Sequence, residues 1–328
     1  MTAIFATATP TTSGQCRPLN ILRDLPGVAD LIELCFAPTI DAEGRSYVDQ
    51  MRRNGRDSNF IGWASKVIDT ASLPLSGFVW EDAGKIVGNV SLIPFIQGRR
   101  KVYLLANIAT HPDYRRRGIA RILTDAAMRR AREKRASSIW LHVRAESAGA
   151  LALYHELGFQ ERARRTTWQG SPGTPLPGDL RVEKRPARDW LVQRIWLERA
   201  YPASLNWYNQ QGWDLFRPGL ISSISRMLAD INAMQWSVYR HGDLQGVVSC
   251  IRSFARPDYL WAAFPDHPDL DAITNLLLYA RRELGPSSNI HFEYPAGLAD
   301  EAIRASGFLP QRTLLWMEAP TPMPKQVV

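Results

Sequence analysis

The sequence predicts an α/β (α+β) protein of two similar domains, each with a mixed, mostly antiparallel sheet, a central βαβ unit and flanking helices. Strand and helix patterns alternate along the chain, which is typical of this class. At 328 residues the chain is long for one compact domain and comfortable for two. Residues 171–178 contain three prolines and two glycines, and the elements on either side of them follow a similar order.

These patterns predict four regions. Residues 1–14 are rich in Thr and Ala and lack a basic start followed by an apolar core, so they indicate a flexible tail and not a signal peptide. The first domain takes residues 15–170, the linker 171–178 and the second domain 179–328. No stretch approaches the roughly 18 consecutive apolar residues of a transmembrane helix.

The first domain is predicted to contain an antiparallel meander followed by a βαβ unit. A hairpin forms around Gly84, which can supply a positive φ. A strand, a helix and a strand with short connections then imply a parallel pair. Residues 41–70 are polar and hold one or two helices. Strands are predicted over 18–22, 78–80, 86–95, 102–109, 139–143 and 159–168, and helices over 27–36, 118–135 and 147–157.

The second domain repeats much of this order. Its hairpin surrounds His241 to Asp243, and two short sequences match the first half. His111-Pro112-Asp113 corresponds to His267-Pro268-Asp269, and Leu157-Gly158-Phe159 corresponds to Ser306-Gly307-Phe308. Strands are predicted over 180–184, 235–240, 246–254, 258–264, 290–294 and 308–317, and helices over 189–199, 270–283 and 298–305.

The stretch from His111 to Ala120 predicts a phosphate site. An apolar strand leads into it, and a helix with an apolar face leads out. The first turn of a helix has N–H groups without intrahelical partners and partial positive charge. Gly118 lets a ligand approach the backbone because it has no Cβ. Together with Arg115, Arg116 and Arg117, these donors suit an anion, although a solvated basic helix start would look similar.

The charge and the cysteine content limit the kinds of ligand and the cellular compartment that we expect. The net charge of +8 and the pI of about 9.6 suit an anionic ligand and would equally suit nucleic acid. We do not favour direct nucleic-acid recognition, because no helix-turn-helix, zinc-finger or RNA-binding signature is present. The three cysteines are scattered without a CxxC or Cys/His spacing, so we expect a reduced cytoplasm and no metal.

The spacing Arg115-x-x-Gly118-x-Ala120, after a strand ending Ile108-Ala109-Thr110, resembles the acyl-CoA-binding motif of the GNAT superfamily of N-acetyltransferases. The resemblance implies a tandem chain with acetyl-CoA as co-substrate. Ile108 and Thr110 would offer backbone groups to pantetheine, and the strand from Ile108 through Ala109 to Thr110 would stabilise the oxyanion. The diphosphate would be held by Arg115, Arg116, Arg117, Gly118, Ile119 and Ala120.

A second signature follows at Ala150-x-x-Leu153-Tyr154-x-x-x-Gly158-Phe159. The resemblance implies that Tyr154 lies beside the coenzyme sulfur and protonates the leaving thiolate, although a helical tyrosine is more often a core residue. Ser147 stands where relatives often carry asparagine and would contact pantetheine. The fourth strand offers Asn107 and no carboxylate, so Asn107 would orient water. His111, His142 and His155 are base candidates by intrinsic pKa, whereas Glu146 and Glu156 are interpreted as solvated.

The second half departs from the motif. Asp269 is followed by Leu270-Asp271-Ala272-Ile273, without the glycine or the arginines, and Ile303 takes the place of Tyr154. Asp271 would place negative charge where phosphate must bind. We therefore expect the second half to bind no coenzyme A in the usual way, and to pack on the first half, close the acceptor site, or both.

The leading hypothesis is an N-acyltransferase that moves an acetyl or other short acyl group from acyl-CoA to an amine by direct attack in a ternary complex. The alternative is a non-catalytic acyl-CoA-binding or interaction module. Small amines, antibiotics, amino acids and protein N-termini all remain open as acceptors, and so does a homodimer. No membrane partner is expected.

Overall fold

A computed structural model describes residues 14–40, 42–55, 57, 74–97, 100–171, 180–205, 212–219, 232–252, 258–285 and 290–320. The predicted tail, apart from Gly14, and the predicted linker, apart from Ser171, lie outside these residues. So do residues 58–73, and with them much of the 41–70 region that was predicted to hold one or two helices. In the described part, no helix is long and apolar enough to cross a membrane.

The α/β prediction is confirmed, and most elements lie within a few residues of their predicted positions. The strands are β1 (Gln15–Pro18), β2 (Ser76–Asp82), β3 (Lys85–Gln97), β4 (Arg100–Thr110), β5 (Ser138–Arg144), β6 (Gln160–Gly170), β7 (Val182–Lys184), β8 (Asn232–Arg240), β9 (Asp243–Arg252), β10 (Asp258–Ala263), β11 (Ile290–Pro295) and β12 (Phe308–Pro320). The helices are α1 (Ile21–Phe36), α2 (Ala42–Asn54), α3 (Ile119–Glu133), α4 (Ala148–Glu156), α5 (Trp190–Ala200), α6 (Leu270–Leu284) and α7 (Asp300–Ala305).

The start of the chain corrects one prediction. The strand expected over 18–22 lies earlier, at β1, and the helix expected from residue 27 begins at Ile21. Asn20 caps this helix, since its side chain accepts from the Leu22 N–H at 3.0 Å. Pro26 lies inside α1, near its N-terminus.

The first compact unit comprises the described residues up to 142, 148–160 and 317–320. Strands β1 to β4 pair antiparallel in chain order, and β4 pairs parallel with β5. Helix α3 packs closely on β3 at Gly88, where an added Cβ would lie 2.8 Å from the Ile119 side chain and 2.9 Å from that of Leu123. This glycine therefore sets how closely α3 approaches the sheet.

The second compact unit comprises the described residues of 143–147 and 161–316. It repeats the order of the first: β8, β9 and β10 pair antiparallel, then β10 pairs parallel with β11 across α6. Strand β6, expected to end the first domain, pairs antiparallel with β11 from Arg165↔Pro295 to Gln169↔His291. Most of β6 therefore groups with the second compact unit.

Candidate functional site

Strands β4 and β5 separate part-way along their length. Their paired residues run from Val102↔Ser138 to Leu105↔Leu141, whereas β4 continues to Thr110. Along this second half, β4 keeps its other neighbour, with Asn89↔Ala109 and Gly88↔Thr110 on β3. Backbone groups of Ile108 and its neighbours therefore border a gap in the parallel pair.

Asn107 lies at a bulge where β4 begins to diverge. The register with β3 shifts between Asn89 and Ser91, and Asn107 has a left-handed φ of 52°. Such a conformation costs about 1 kcal/mol or more for a residue with a Cβ. The Asn107 carbonyl accepts from Asn89 Nδ2 at 2.9 Å. The side-chain Nδ2 of Asn107 donates to the Tyr47 hydroxyl at 2.9 Å and to Ser91 Oγ at 3.2 Å. We call these four residues the bulge cluster.

The turn after β4 is braced by its own atoms. The His111 N–H donates to the Val87 carbonyl at 2.8 Å, and residues 112–114 form a 3₁₀ turn. Arg115 Nε donates to the Thr110 carbonyl at 3.3 Å. Arg117 donates to the Asp113 carbonyl at 2.8 Å and lies over a tyrosine ring, that of Tyr114. Two of the three arginines therefore hold the turn in shape, and their exposed charge adds to its positive field.

The backbone from Arg116 through the first turn of α3 presents six consecutive N–H donors. Gly118, the N-cap of α3, has φ +78°, and an added Cβ would meet nothing within 4 Å. The first bond of the helix runs from the Ile122 N–H to the Gly118 carbonyl at 3.1 Å. Among the described residues, none accepts a hydrogen bond from the N–H groups of residues 116–121. Unpaired donors beside an open glycine fit a diphosphate.

Tyr154 is 6% exposed on α4. Its ring meets that of Phe159 edge-on at 6.0 Å. Burial raises the pKa of its phenol, so the hydroxyl stays protonated through the physiological range. No described residue shares a hydrogen bond with that hydroxyl. Helix α4 is tied to the first turn of α3 by an ion pair between Glu156 and Arg121.

Comparison with known proteins identifies the region of the chain that contains these residues. Residues 35–159 match the Acetyltransferase (GNAT) family. The chain contains a GNAT acetyltransferase domain. Over 64 residues, it is 41% identical to the [ribosomal protein bS18]-alanine N-acetyltransferases of Escherichia coli K12 and Salmonella typhimurium. That segment is 20% of this chain and 43% of each relative, so the chain spans less than half the length of these relatives.

Solved GNAT structures are similar over a longer span. A GCN5-related N-acetyltransferase from Sphaerobacter thermophilus has a TM-score of 0.54 and 13% identity, covering 94% of this chain and 96% of that one. The glucosamine N-acetyltransferase region of a fungal multi-domain β-N-acetylglucosaminidase has a TM-score of 0.55 and 14% identity, covering 94% of this chain and 38% of that one. At these identities the likeness shows the fold alone.

Other predicted residues of the GNAT domain have ordinary structural partners. The Thr110 carbonyl already accepts from Arg115 and, at 3.3 Å, from the Cys35 thiol. The Ser147 N–H donates to the Arg144 carbonyl at 3.0 Å, and Ser147 groups with the second unit. The predicted contacts of Thr110, Ala109 and Ser147 with pantetheine stay predictions.

The base candidates occupy different environments. His111 Nδ1 accepts from the Asp113 N–H at 3.3 Å, and His155 is exposed on α4. His142 is half-buried and is the first residue of β5 beyond the last pair with β4. Glu146 and Glu156 are exposed and pair with arginines. In the described part of the chain, no three His, Cys, Asp or Glu side chains form a metal site.

The second unit fills the equivalent gap with its own side chain. Strands β10 and β11 pair at Asp258↔Ile290 and Tyr259↔His291, then diverge. The buried Tyr201 hydroxyl accepts from the Ala262 N–H of β10 at 3.3 Å and donates to the Glu293 carbonyl of β11 at 3.0 Å. Tyr201 therefore bridges the two strands where they separate.

The helix that follows β10 is also capped internally. Asp269 Oδ1 accepts from the Ala272 N–H at 3.0 Å, and Arg240 pairs with the same carboxylate. The N–H bond and the arginine both lower the Asp269 pKa, which keeps negative charge at the start of α6. The sequence interpretation named Asp271 as the interfering charge. Asp269 was missed, although aspartate at an N-cap position was the available signal.

The sequence interpretation also missed three members of the bulge cluster. Tyr47 lies in the polar 41–70 region, where no site residue was predicted. Asn89 and Ser91 lie within an apolar strand and are 0% and 1% exposed. The sequence signal for Asn89 and Ser91 was their spacing, because two polar residues at alternate positions lie on the same face of a strand. In a buried strand such polar groups need hydrogen-bond partners.

Proposed function

We propose that the chain is an acetyl-CoA-dependent N-acetyltransferase whose active site lies in the GNAT domain. The observation that carries the proposal is the row of six N–H groups at residues 116–121, which have no partner among the described residues and follow the gap between β4 and β5. The row would hold the coenzyme diphosphate, and β4 would hold the pantetheine arm. We also propose that the chain acts in the cytoplasm, where its three free cysteine thiols would stay reduced.

The proposed reaction is a direct attack. The neutral amine nitrogen bonds to the thioester carbonyl carbon, and backbone N–H groups of β4 stabilise the oxyanion that forms there. As the C–S bond breaks, the thiolate receives a proton from Tyr154, and the amine loses a proton to give the amide. Positioning both substrates in one site supplies much of the rate.

The acceptor that we propose to test first is a peptide with a free N-terminal alanine. By their names, the curated relatives acetylate an alanine of ribosomal protein bS18, and alanine has no side-chain nitrogen, so we take its free α-amino group as the acceptor. An α-amino group has a pKa near 8, so about a tenth of it is neutral at pH 7. Lysine, with a pKa near 10.4, is far less often neutral. Small amines and antibiotics belong in the same panel.

Two measurements test the proposal. Isothermal titration with acetyl-CoA should show binding, and free thiol should appear when an amine from the panel is added. Absence of acetyl-CoA binding would defeat the proposal. Binding without thiol release over the whole panel would favour the alternative of a non-catalytic acyl-CoA module. Binding to nucleic acid that weakens steeply with salt would instead support direct nucleic-acid recognition through the arginines.

Replacing Tyr154 with phenylalanine should lower kcat about 100-fold, near the lower end of the range for general acids. The ring contact with Phe159 remains, so the acetyl-CoA dissociation constant should change less than about twofold. Because burial raises the pKa of this phenol, the wild-type rate should show no alkaline loss from Tyr154 below about pH 10. Steady-state rates from pH 6 to 10 check both points, and an unchanged kcat would remove Tyr154 from the mechanism.

A further inference from the structure

The bulge cluster fixes both ends of one residue. Asn89, from β3, holds the carbonyl of Asn107, while Tyr47, from α2, and Ser91, from β3, hold its carboxamide. Three side chains from two neighbouring elements thus converge on a single position of β4. None of these contacts touches the donor row at residues 116–121.

The cluster is unusual for the interior of a sheet. Asn89 and Ser91 are buried, and Asn89 Oδ1 is a buried oxygen without a hydrogen-bond partner in the described structure. Apolar side chains would fill these positions without leaving a buried acceptor unsatisfied. Asn107 itself keeps a left-handed φ of 52°, a conformation that costs free energy for a residue with a Cβ and that its hydrogen bonds to the cluster stabilise. These polar residues therefore serve the geometry of β4 more than the stability of the core.

We propose that Tyr47 and Asn89 are positioning residues, which hold Asn107 in its left-handed conformation and so set the direction in which the Ile108 backbone faces the gap between β4 and β5. The inference rests on the proposed function, because that backbone is the proposed oxyanion donor. It assigns to α2 a role in catalysis through β4, without contact with the reacting atoms.

The electrostatics of the cluster suit this role over a wide pH range. Burial raises the pKa of Tyr47 to about 12, against a smaller opposing effect of the bond from Asn107. The phenol is therefore neutral at physiological pH. The other three members are two amides and a hydroxyl, which do not titrate there. We expect the support for Asn107 to be independent of pH.

The test compares Tyr47→Phe and Asn89→Leu with Tyr103→Phe as a matched control. Tyr103 also lies in the first unit, on β4 itself, and its buried hydroxyl has no described hydrogen-bond partner. With acetyl-CoA and a peptide bearing an N-terminal alanine, both test variants should lower kcat about 10- to 100-fold. Their acetyl-CoA dissociation constants should stay within about twofold of wild type, because the donor row is intact. Tyr103→Phe should match wild type.

Two further readouts separate positioning from general destabilisation. Amide hydrogen exchange at residues 107–109 should be faster in both test variants and unchanged in Tyr103→Phe. In an Asn107→Gly background, where a left-handed residue needs no support, Tyr47→Phe should have no additional effect on kcat.

The outcomes are distinguishable. Wild-type kcat and wild-type exchange in Tyr47→Phe, or equal losses in Tyr47→Phe and Tyr103→Phe, would overturn the inference. If the wild-type protein releases no thiol with any amine, the proposed function fails, while the exchange rates still decide whether the cluster holds the bulge.

Discussion

Replacing Gly118 with glutamate is expected to weaken acetyl-CoA binding about 100-fold, equivalent to roughly 2.7 kcal/mol. The residue has φ +78°, so any Cβ is strained there. Nothing lies within 4 Å of the position that the Cβ would take, so the carboxylate can enter the space proposed for the diphosphate. Two unit charges about 4 Å apart repel by about 4 kcal/mol at an effective dielectric constant of 20, and movement of the side chain relieves part of this.

Gly84→Glu is the matched control. Gly84 has φ +76°, an added Cβ there also meets nothing within 4 Å, and the residue lies in the β2–β3 turn. The variant therefore repeats the backbone strain and the added charge of Gly118→Glu in another turn. Isothermal titration should find near-wild-type affinity for it. Equal affinities of the two variants for acetyl-CoA would contradict the assignment of the phosphate site.

Replacing Arg165 with methionine should lower the free energy of unfolding of the second unit by about 3–5 kcal/mol. Arg165 is 4% exposed and pairs with Glu293, whose side chain is 16% exposed. It also donates to the Ala200 carbonyl at 2.7 Å, and its guanidinium lies 4.9 Å from the centre of the Tyr201 ring. The variant leaves a largely buried carboxylate without its cation and the Ala200 carbonyl without this donor.

Arg164 provides the control for this experiment because it is adjacent in sequence and differs in exposure. Its side chain is 52% exposed and pairs with Glu161, so Arg164→Met should cost about 0–1 kcal/mol. Urea unfolding followed by tryptophan fluorescence measures both variants. A loss below about 1 kcal/mol in Arg165→Met would show that the buried pair contributes little net stability.

Local chemistry made the turn at Gly118 and the helix start after it predictable. Arg115-x-x-Gly118-x-Ala120 lies between a strand and a helix, and a glycine at the helix start signals both the positive φ and the open donors. The hairpin at Gly84 was predictable for the same reason, since the turn residue itself determines the backbone. In each case the signal and the structure that it determines lie within about ten residues.

The parts of the fold and of the candidate site that were not predicted depend on contacts between residues that are distant in sequence. Tyr47 meets Asn107 across 60 positions, and Arg165 meets Glu293 across 128. No local pattern specifies such pairs. The same limit explains α1, which begins six residues before its predicted start at residue 27. Asp24 lies inside the helix and is held by Arg17, a contact from β1 that a reading of the helix alone does not supply.

The Tyr201 bridge has a consequence for how a cofactor titration should saturate. Its hydroxyl already satisfies one amide and one carbonyl of the diverging strands, which a pantetheine arm would otherwise engage. A ligand entering there would have to displace a core aromatic residue as well as the Asp269 cap. The molar ratio at the equivalence point should therefore be one acetyl-CoA per polypeptide, although the chain carries the strand arrangement twice.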